Sequence, residues 1–431
     1  MRFTSAVRIV GNRLQDNGLR GAYWGVTKIA DEARLLVRKA DPAVRAHFLR
    51  DLRRFLTADV RPIRGEVIER VQAAADWLLR SQAANTDGGV SLGYFPCDGE
   101  ANGWRASYPE TTGYIMTTML NVARRFAAPK YRHAALRMGY WEIAIQMASG
   151  AVQGGPVVAP DKQTAAAFNT GMVLDGLCSA LPETDDVAFV EAARRAADFL
   201  ENDIDEAGYF RTSGQFVSAG EIKTYNCLCA WAMYRFGELV GEPRYLQSAT
   251  RCVEAAVRSQ HANGWFPHND LSHSRSPLTH TIGYTLQGML EVGVIAERPD
   301  FIDAARRGVE PLMKRIDKAG FLAGRFYSDW RPATFSSCLT GSAQIAIVCY
   351  RLSQITGDSE FRHSADRLVD FLKALQALDS TNEAINGALA GSFPIMGEYM
   401  RGGYPNWATK YFVDALMLQD AAAAANRANP F

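Results

Sequence analysis

A chain of 431 residues with 48% hydrophobic content is long enough for one large core or two ordinary ones. Its 47 Lys and Arg nearly balance 46 Asp and Glu, so it lacks the basic footprint of a nucleic-acid binder and no nucleic-acid partner is expected. Seven cysteines in mostly apolar stretches point to buried thiols in a reducing compartment, and no apolar run approaches the roughly 20 residues that cross a bilayer.

Residues 1–61 form a basic, helix-prone extension. Over residues 1–65, 14 Lys and Arg stand against 6 Asp and Glu, about +8, which leaves about −7 for the remainder. The segment has no continuous apolar core for a secretory signal, so a cytoplasmic location is expected. A stretch such as "AVRAHFLRDLRRFL" (43–56) suits two settings. It can lie on an anionic membrane surface, peripheral to an inner membrane and near a glycosyltransferase with lipid-linked glycans, or it can clamp across the outside of the folded body. The second is the preferred expectation.

From residue 62 to 420 the chain repeats. "YPETTGYIMTTML" (108–120), "AAFNTGMVLDGL" (166–177), "KTYNCLCAWAMY" (223–234), "LTHTIGYTLQGML" (278–290), "SCLTGSAQIAIV" (337–348) and "YPNWATKYFVDAL" (404–416) align at Gly113, Gly171, Cys227, Gly283, Gly341 and Thr409, with steps of 58, 56, 56, 58 and 68 residues. Between them run amphipathic stretches such as "FVEAARRAADFLEND" (189–203), where Val190, Ala193, Ala197 and Leu200 recur at helical spacing among charged residues. The first set is apolar nearly all round and should be enclosed; the second should face water on one side. Six such pairs predict an all-α (α/α)6 toroid over residues 62–420, followed by a C-terminal tail, 421–431.

Links from enclosed to outer helices are short, as in "LVGEPRY" and "ITGDSE". Links in the other direction are long and rich in Gly and aromatics, so six long loops should gather on one rim. This pattern, together with "GGV...GYFP", "NGWFP", "GSFP" and "SYPETTGYI", resembles the (α/α)6 toroid proteins of bacterial exopolysaccharide biosynthesis clusters. It is also similar to the wider six-hairpin class of unsaturated glucuronyl hydrolases, sugar 2-epimerases and polysaccharide lyases. The resemblance implies carbohydrate chemistry without fixing a reaction.

The rim carries the candidate residues. Trp104, Trp265, Trp330 and Trp407 lie in long loops with Tyr108, where aromatic faces can stack on sugar rings or simply pack loop on loop. Glu110, Asn169, Tyr225, Asn226, His280 and Lys410 fall at the starts of enclosed helices, where free N–H groups and the helix dipole favour an anion. For Asn169, Thr112 and Thr340 capping of the helix N-terminus is the preferred reading. The loop "WFPHNDLSHSRSPLTHTIGY" adds His268, Asp270, His273 and Arg275, with His280 expected beside Tyr284; Arg331 joins Trp330 on the next loop.

An oligo- or polysaccharide, with uronic acid, is the expected partner. Two mechanisms remain open. Glycoside hydrolysis needs two carboxyl groups, best supplied by Glu110 and Asp270, with Asp329 and Glu398 in reserve. Uronate elimination or epimerisation needs donors for the carboxylate, from Asn169, Asn226 or Arg275, and a base, His280 or Tyr225. The wider substrate-binding set is Trp104, Tyr108, Asn169, Asn226, Trp265, His268, Arg275, Trp330, Arg331, Trp407 and Lys410.

Two other classes compete: a non-catalytic polysaccharide-binding scaffold, and a terpenoid cyclase or prenyltransferase-like toroid, suggested by "QHANGWF" (260–266) but lacking its acidic cluster. A terpenoid mouth would be aromatic with no convergent polar groups. No cofactor and no metal are expected. Cys227-x-Cys229 lacks the usual spacer, Cys338 with His280 is too few ligands, and the histidine spacings match no standard site. The whole reading requires Glu110, Asn226, His280 and Trp407 to meet at one end of the molecule.

Overall fold

The computed structural model describes residues 41–60, 66–97, 102–215, 217, 220–271, 275–378 and 380–428. Thirteen α-helices are present among them. The first, α1 (Pro42–Thr57), precedes the repeat. The rest alternate between an outer set, α2 (Val67–Ala83), α4 (Pro129–Ile145), α6 (Val187–Asp203), α8 (Pro243–Ser259), α10 (Pro299–Met313) and α12 (Ser359–Leu375), and an inner set. The inner helices are α3 (Pro109–Phe126), α5 (Ala167–Ala180), α7 (Cys227–Val240), α9 (Thr279–Ile295), α11 (Leu339–Thr356) and α13 (Asn406–Ala428). Each inner helix packs on the next, and α13 returns to α3. The last inner helix pairs with the first outer one, α2, so the two ends of the repeat close the ring.

Sequence periodicity accounts for the two layers. In α8, Tyr245, Ala249, Cys252, Val253 and Ala256 face inward, whereas in α9 every residue from Thr279 to Gly293 is buried. The short links stop and restart the chain sharply: α4, α8 and α10 begin on a proline, and Asp186 and Asp358 cap α6 and α12 through the amides of Ala188 and Glu360.

The aligned glycines mark where inner helices touch. A Cβ on Gly113 would sit 2.6 Å from the Val173 backbone, and one on Gly341 would sit 2.6 Å from the amide nitrogen of His280. A second six-fold mark, not read from the sequence, lies at the outer helix ends. Gly88, Gly150, Gly208, Gly264, Gly320 and Gly387 all have positive φ, and each rests on a backbone carbonyl of the following outer helix. Beside four of them a glutamine amide spans the seam. Gln260 Nε2, for example, donates to Gly264 O at 3.2 Å and to Ala304 O at 2.9 Å; Gln82, Gln146 and Gln376 do the same in their repeats. The "QHANGWF" stretch is therefore a structural staple.

The long loops meet on one rim, stitched by two short ladders. Strand β1 (Gly93–Tyr94) pairs with β4 (Tyr404–Pro405), and β2 (Ser337–Cys338) pairs with β3 (Ser392–Phe393). Helix α1 lies against this rim. Val44 and Phe48 are buried, Phe55 meets Phe393 at 5.7 Å, and Asp51 accepts from the Ile395 amide at 2.7 Å. Burial raises the Asp51 carboxyl to about 7. Residues 1–40, the larger part of the basic extension, lie outside the described residues, as does His273. Helix α13 continues past residue 420 to Ala428, so the expected tail is largely helical. No described helix is long and apolar enough to cross a membrane.

Candidate functional site

Inside the loop-bearing mouth of the ring is a cavity of about 440 Å³ whose wall includes Tyr108, Glu110, Phe168, Tyr225, His280, Tyr284, Tyr399 and Trp407. That volume lies within the range of about 300–1,000 Å³ usual for small-molecule sites. Four of these side chains occupy the same place in four of the six inner helices: Glu110, Phe168, His280 and Trp407 are the second residues of α3, α5, α9 and α13. Tyr225 comes from a single 3-10 turn, Thr224–Asn226, ahead of α7. A helix's first turn directs its side chains back toward the end it starts from, so the ring geometry aims all of them at one axis.

The wall is aromatic. Phe168 lies 4.7 Å from Tyr284 and 5.2 Å from Tyr225, and the His280 ring lies 4.4 Å from Tyr284 and 5.5 Å from Tyr399. Trp407 Nε1 donates to the Tyr399 hydroxyl at 2.8 Å. Beneath, Tyr114 and Tyr411 pack at 5.6 Å, and the Lys410 ammonium sits 3.9 Å above the Tyr411 ring while pairing with Asp414 at 2.8 Å. These side chains fill the barrel axis, so the cavity is entered from the rim. The buried hydroxyl of Tyr284 lies within reach of those of Tyr114 and Tyr411, forming a tyrosine cluster at the base of the cavity.

Two titratable groups face this space with opposite displacements. The Glu110 side chain is half-buried on the cavity wall, and desolvation there, with no hydrogen bond or charge opposing it, raises its carboxyl to about 8. The His280 ring is held down at about 4 by burial, which outweighs its bond to Gln344. At neutral pH the site therefore holds a protonated carboxylic acid and an uncharged imidazole.

The other expected site residues are placed elsewhere. Asp270 is buried in an ion pair with Lys223 at 3.6 Å and does not line the cavity. Asn169 donates to Gln153 O at 2.9 Å, pinning the loop before α5, and Asn226 is buried next to Cys229. Lys410 lies below the cavity floor. Trp104 packs on Trp77 and Tyr94 at 5.6 and 5.4 Å, and Trp265 meets Trp330 edge-on at 5.0 Å, with Trp330 Nε1 bonded to Asn263 O. These three indoles knit rim loops together. His268 and Arg275 are exposed, and Arg331 is an exposed partner of Asp329. Glu398 pairs with Arg325 at 3.3 Å. Thr112 is no N-cap: it sits a turn inside α3, bonds back to Tyr108 O, and accepts from the Val90 amide, so it too anchors a loop. The Thr340 hydroxyl makes no cap bond either.

Glu110, Tyr108, Tyr225, His280 and Trp407 are thus brought together. Asn226 stays at the same end but is turned into the wall. Phe168, Tyr399 and Gln344 were not anticipated. Phe168 and His280 both stand three residues before an aligned glycine, a register that also gives Glu110, whereas Tyr399 lies in an irregular loop with no periodic mark.

No protein-family model matches the chain. No curated protein matches it in sequence. Solved structures do match in shape. An unsaturated glucuronyl hydrolase specific for heparin superposes with a TM-score of 0.66 at 13% identity, covering 83% of this chain and 98% of its own. D-mannose isomerase gives 0.62 at 13% identity, covering 82% and 96%. Cellobiose 2-epimerase from Bacillus thermoamylovorans B4167 gives 0.63 at 10%, covering 86% and 99%. The fold is the (α/α)6 toroid. At these identities the likeness concerns architecture, and the chemistry has to be argued from the cavity.

Proposed function

We propose that the chain is a carbohydrate-active enzyme that moves a proton on a neutral mono- or disaccharide, with Glu110 as acid and His280 as base. The observation that carries this reading is the convergence of one carboxyl, Glu110, and one imidazole, His280, on a single aromatic cavity, where burial favours the uncharged form of each. On an open-chain reducing sugar, the His280 nitrogen facing the substrate takes the proton from the carbon next to the carbonyl as Glu110 gives its proton to the carbonyl oxygen. The resulting enediol collapses when the ionised Glu110 takes the proton of the neighbouring hydroxyl and the protonated His280 returns its proton to the former carbonyl carbon, so that the carbonyl moves by one carbon and both residues recover their starting states. Electrons and atoms balance with no redox partner. Mannose isomerase and cellobiose epimerase, named for conversions of this kind, share the fold.

Among the described residues the wall contains one acid and no Lys or Arg. With no cation among the described wall residues to neutralise a substrate carboxylate, the uronic-acid substrate suggested by the sequence is the less favoured arm. A second reading, glycoside hydrolysis, is favoured by one observation: a carboxyl raised by burial is what a general acid requires. It lacks a second carboxylate on the described wall, because Asp270, Asp329 and Glu398 are each engaged elsewhere. The polar groups Glu110 and His280 are not what a terpenoid mouth needs. Resemblance of the rim motifs supports a place in exopolysaccharide assembly, with residues 1–61 as an accessory extension.

A panel of reducing neutral disaccharides, aldoses and uronate-capped oligosaccharides, scored for isomer formation against release of reducing ends, separates these arms. Isomerised neutral sugar supports the proposal; cleavage of the uronates alone replaces it with hydrolysis.

A further inference from the structure

We infer that Gln344, which lies behind the cavity wall on α11, is the positioning residue that fixes the tautomer of His280 and leaves its Nε2 as a lone-pair acceptor for the substrate. The inference rests on the proposed role of His280 and extends it to a residue that touches no ligand. Gln344 is fully buried, and its Oε1 lies 2.7 Å from His280 Nδ1. An amide oxygen accepts only, so the proton of the neutral ring sits on Nδ1.

Three features indicate that this contact is built for the ring. The Gln344 Nε2 group is buried with no hydrogen-bond partner among the described residues, so the imidazole is the amide's one described side-chain partner. Gly283, one turn along α9 from His280, gives the amide its room: a Cβ there would sit 2.8 Å from Gln344 Cβ and 3.0 Å from Oε1. Gly341 lets α11 lie against the His280 backbone at the same level. Two of the six aligned repeat positions are thereby used to bring one amide to one imidazole.

The groups facing the ring from the packed elements are Tyr284 on α9, Tyr399 on the rim loop, Tyr411 on α13 and Cys338 before α11, with Glu110 on the same cavity wall. Burial raises every one of them, so none supplies a negative charge near neutral pH that would draw the ring into its charged form. A neutral acceptor at Nδ1 therefore orients the imidazole without making it an imidazolium, whereas a carboxylate at the same place would do both.

The test is ¹⁵N NMR of the imidazole nitrogens in the full-length protein, with Gln344→Leu and Gln344→Glu variants and without substrate. Wild type should show the Nδ1–H tautomer, uncharged from about pH 5 to 8. Gln344→Leu should lose that preference. Gln344→Glu should restore it and raise the ring's titration by about one unit or more, moving the acid limb of the turnover profile up by the same interval while leaving the rate at about pH 7 on its plateau. An Nε2–H tautomer in wild type, or an unchanged tautomer in Gln344→Leu, overturns the inference. If Gln344→Leu does not fold, an unmoved titration in Gln344→Glu does so. Because the tautomer is read without substrate, failure of every sugar to react would count against the proposed function alone.

Discussion

Glu110 is the residue on which most depends, and its environment gives it a pH signature. An isolated glutamate ionises near 4.3, whereas in the folded chain this one does so at about 8. Between those values the native state holds a proton the unfolded state has lost, so stability falls as pH rises through that window. Glu110→Gln removes the effect. We expect its melting temperature to gain on wild type steadily from about pH 5 to pH 8, and the two to converge below about pH 4. In turnover, the proposed acid must be protonated and the base neutral, so the wild-type rate should be flat between about pH 5 and 7 and fall above about 8. Glu110→Gln should lose about 10²–10⁴-fold in rate at pH 7, measured as kcat/KM. A rate rising through pH 8 would assign Glu110 the opposite role.

At the scale of single elements, legibility followed periodicity. The alternation of enclosed and one-faced helices was plain because α9 and α8 differ in how many of their sides carry apolar residues. The alignment at Gly113 and Gly283 also placed Glu110 and His280 at equivalent helix starts, which is why both were found. What escaped was set by contacts between repeats. Whether Asp270 meets Lys223 or a ligand, and whether Trp265 meets Trp330 or a sugar, depends on how neighbouring loops fold over one another. Gln344 was hidden in an apolar run, its partner 64 residues away. The glycines at outer helix ends make a direct prediction. Gly264 has φ +85° and rests on the Arg307 carbonyl, so Gly264→Ala adds a strained left-handed residue to a backbone clash. We expect a loss of about 1–3 kcal/mol or more in urea unfolding, against about 1–2 kcal/mol for Gln260→Ala, which removes two hydrogen bonds to backbone carbonyls.

For the molecule as a whole, the ring closes through residues more than 300 positions apart. Arg70 on α2 is fully buried and donates to Lys373 O at 2.9 Å and Gln376 Oε1 at 3.2 Å, while Trp77 Nε1 donates to Ala384 O at 2.8 Å. Arg70→Ala strands those carbonyls at the one seam that no short link covers. It should lower the melting temperature by several degrees and raise the protease sensitivity of α2 before that of α8; equal sensitivity of the two would show that closure is no weaker than the other seams. The same closure carries the six helix starts to a single mouth, where Glu110 and His280, 170 residues apart in sequence, share one cavity. Helix α1 bears on that mouth through the segment that supplies Tyr399 and Met400.

Solvent exchange tests the central claim most directly. With a neutral reducing sugar such as cellobiose or mannose in D₂O, proton NMR should show deuterium entering the carbon next to the carbonyl in the presence of the enzyme, and neither Glu110→Gln nor His280→Asn should reproduce it. Sugars that keep that C–H bond intact while the enzyme cleaves a glycosidic linkage would contradict the account.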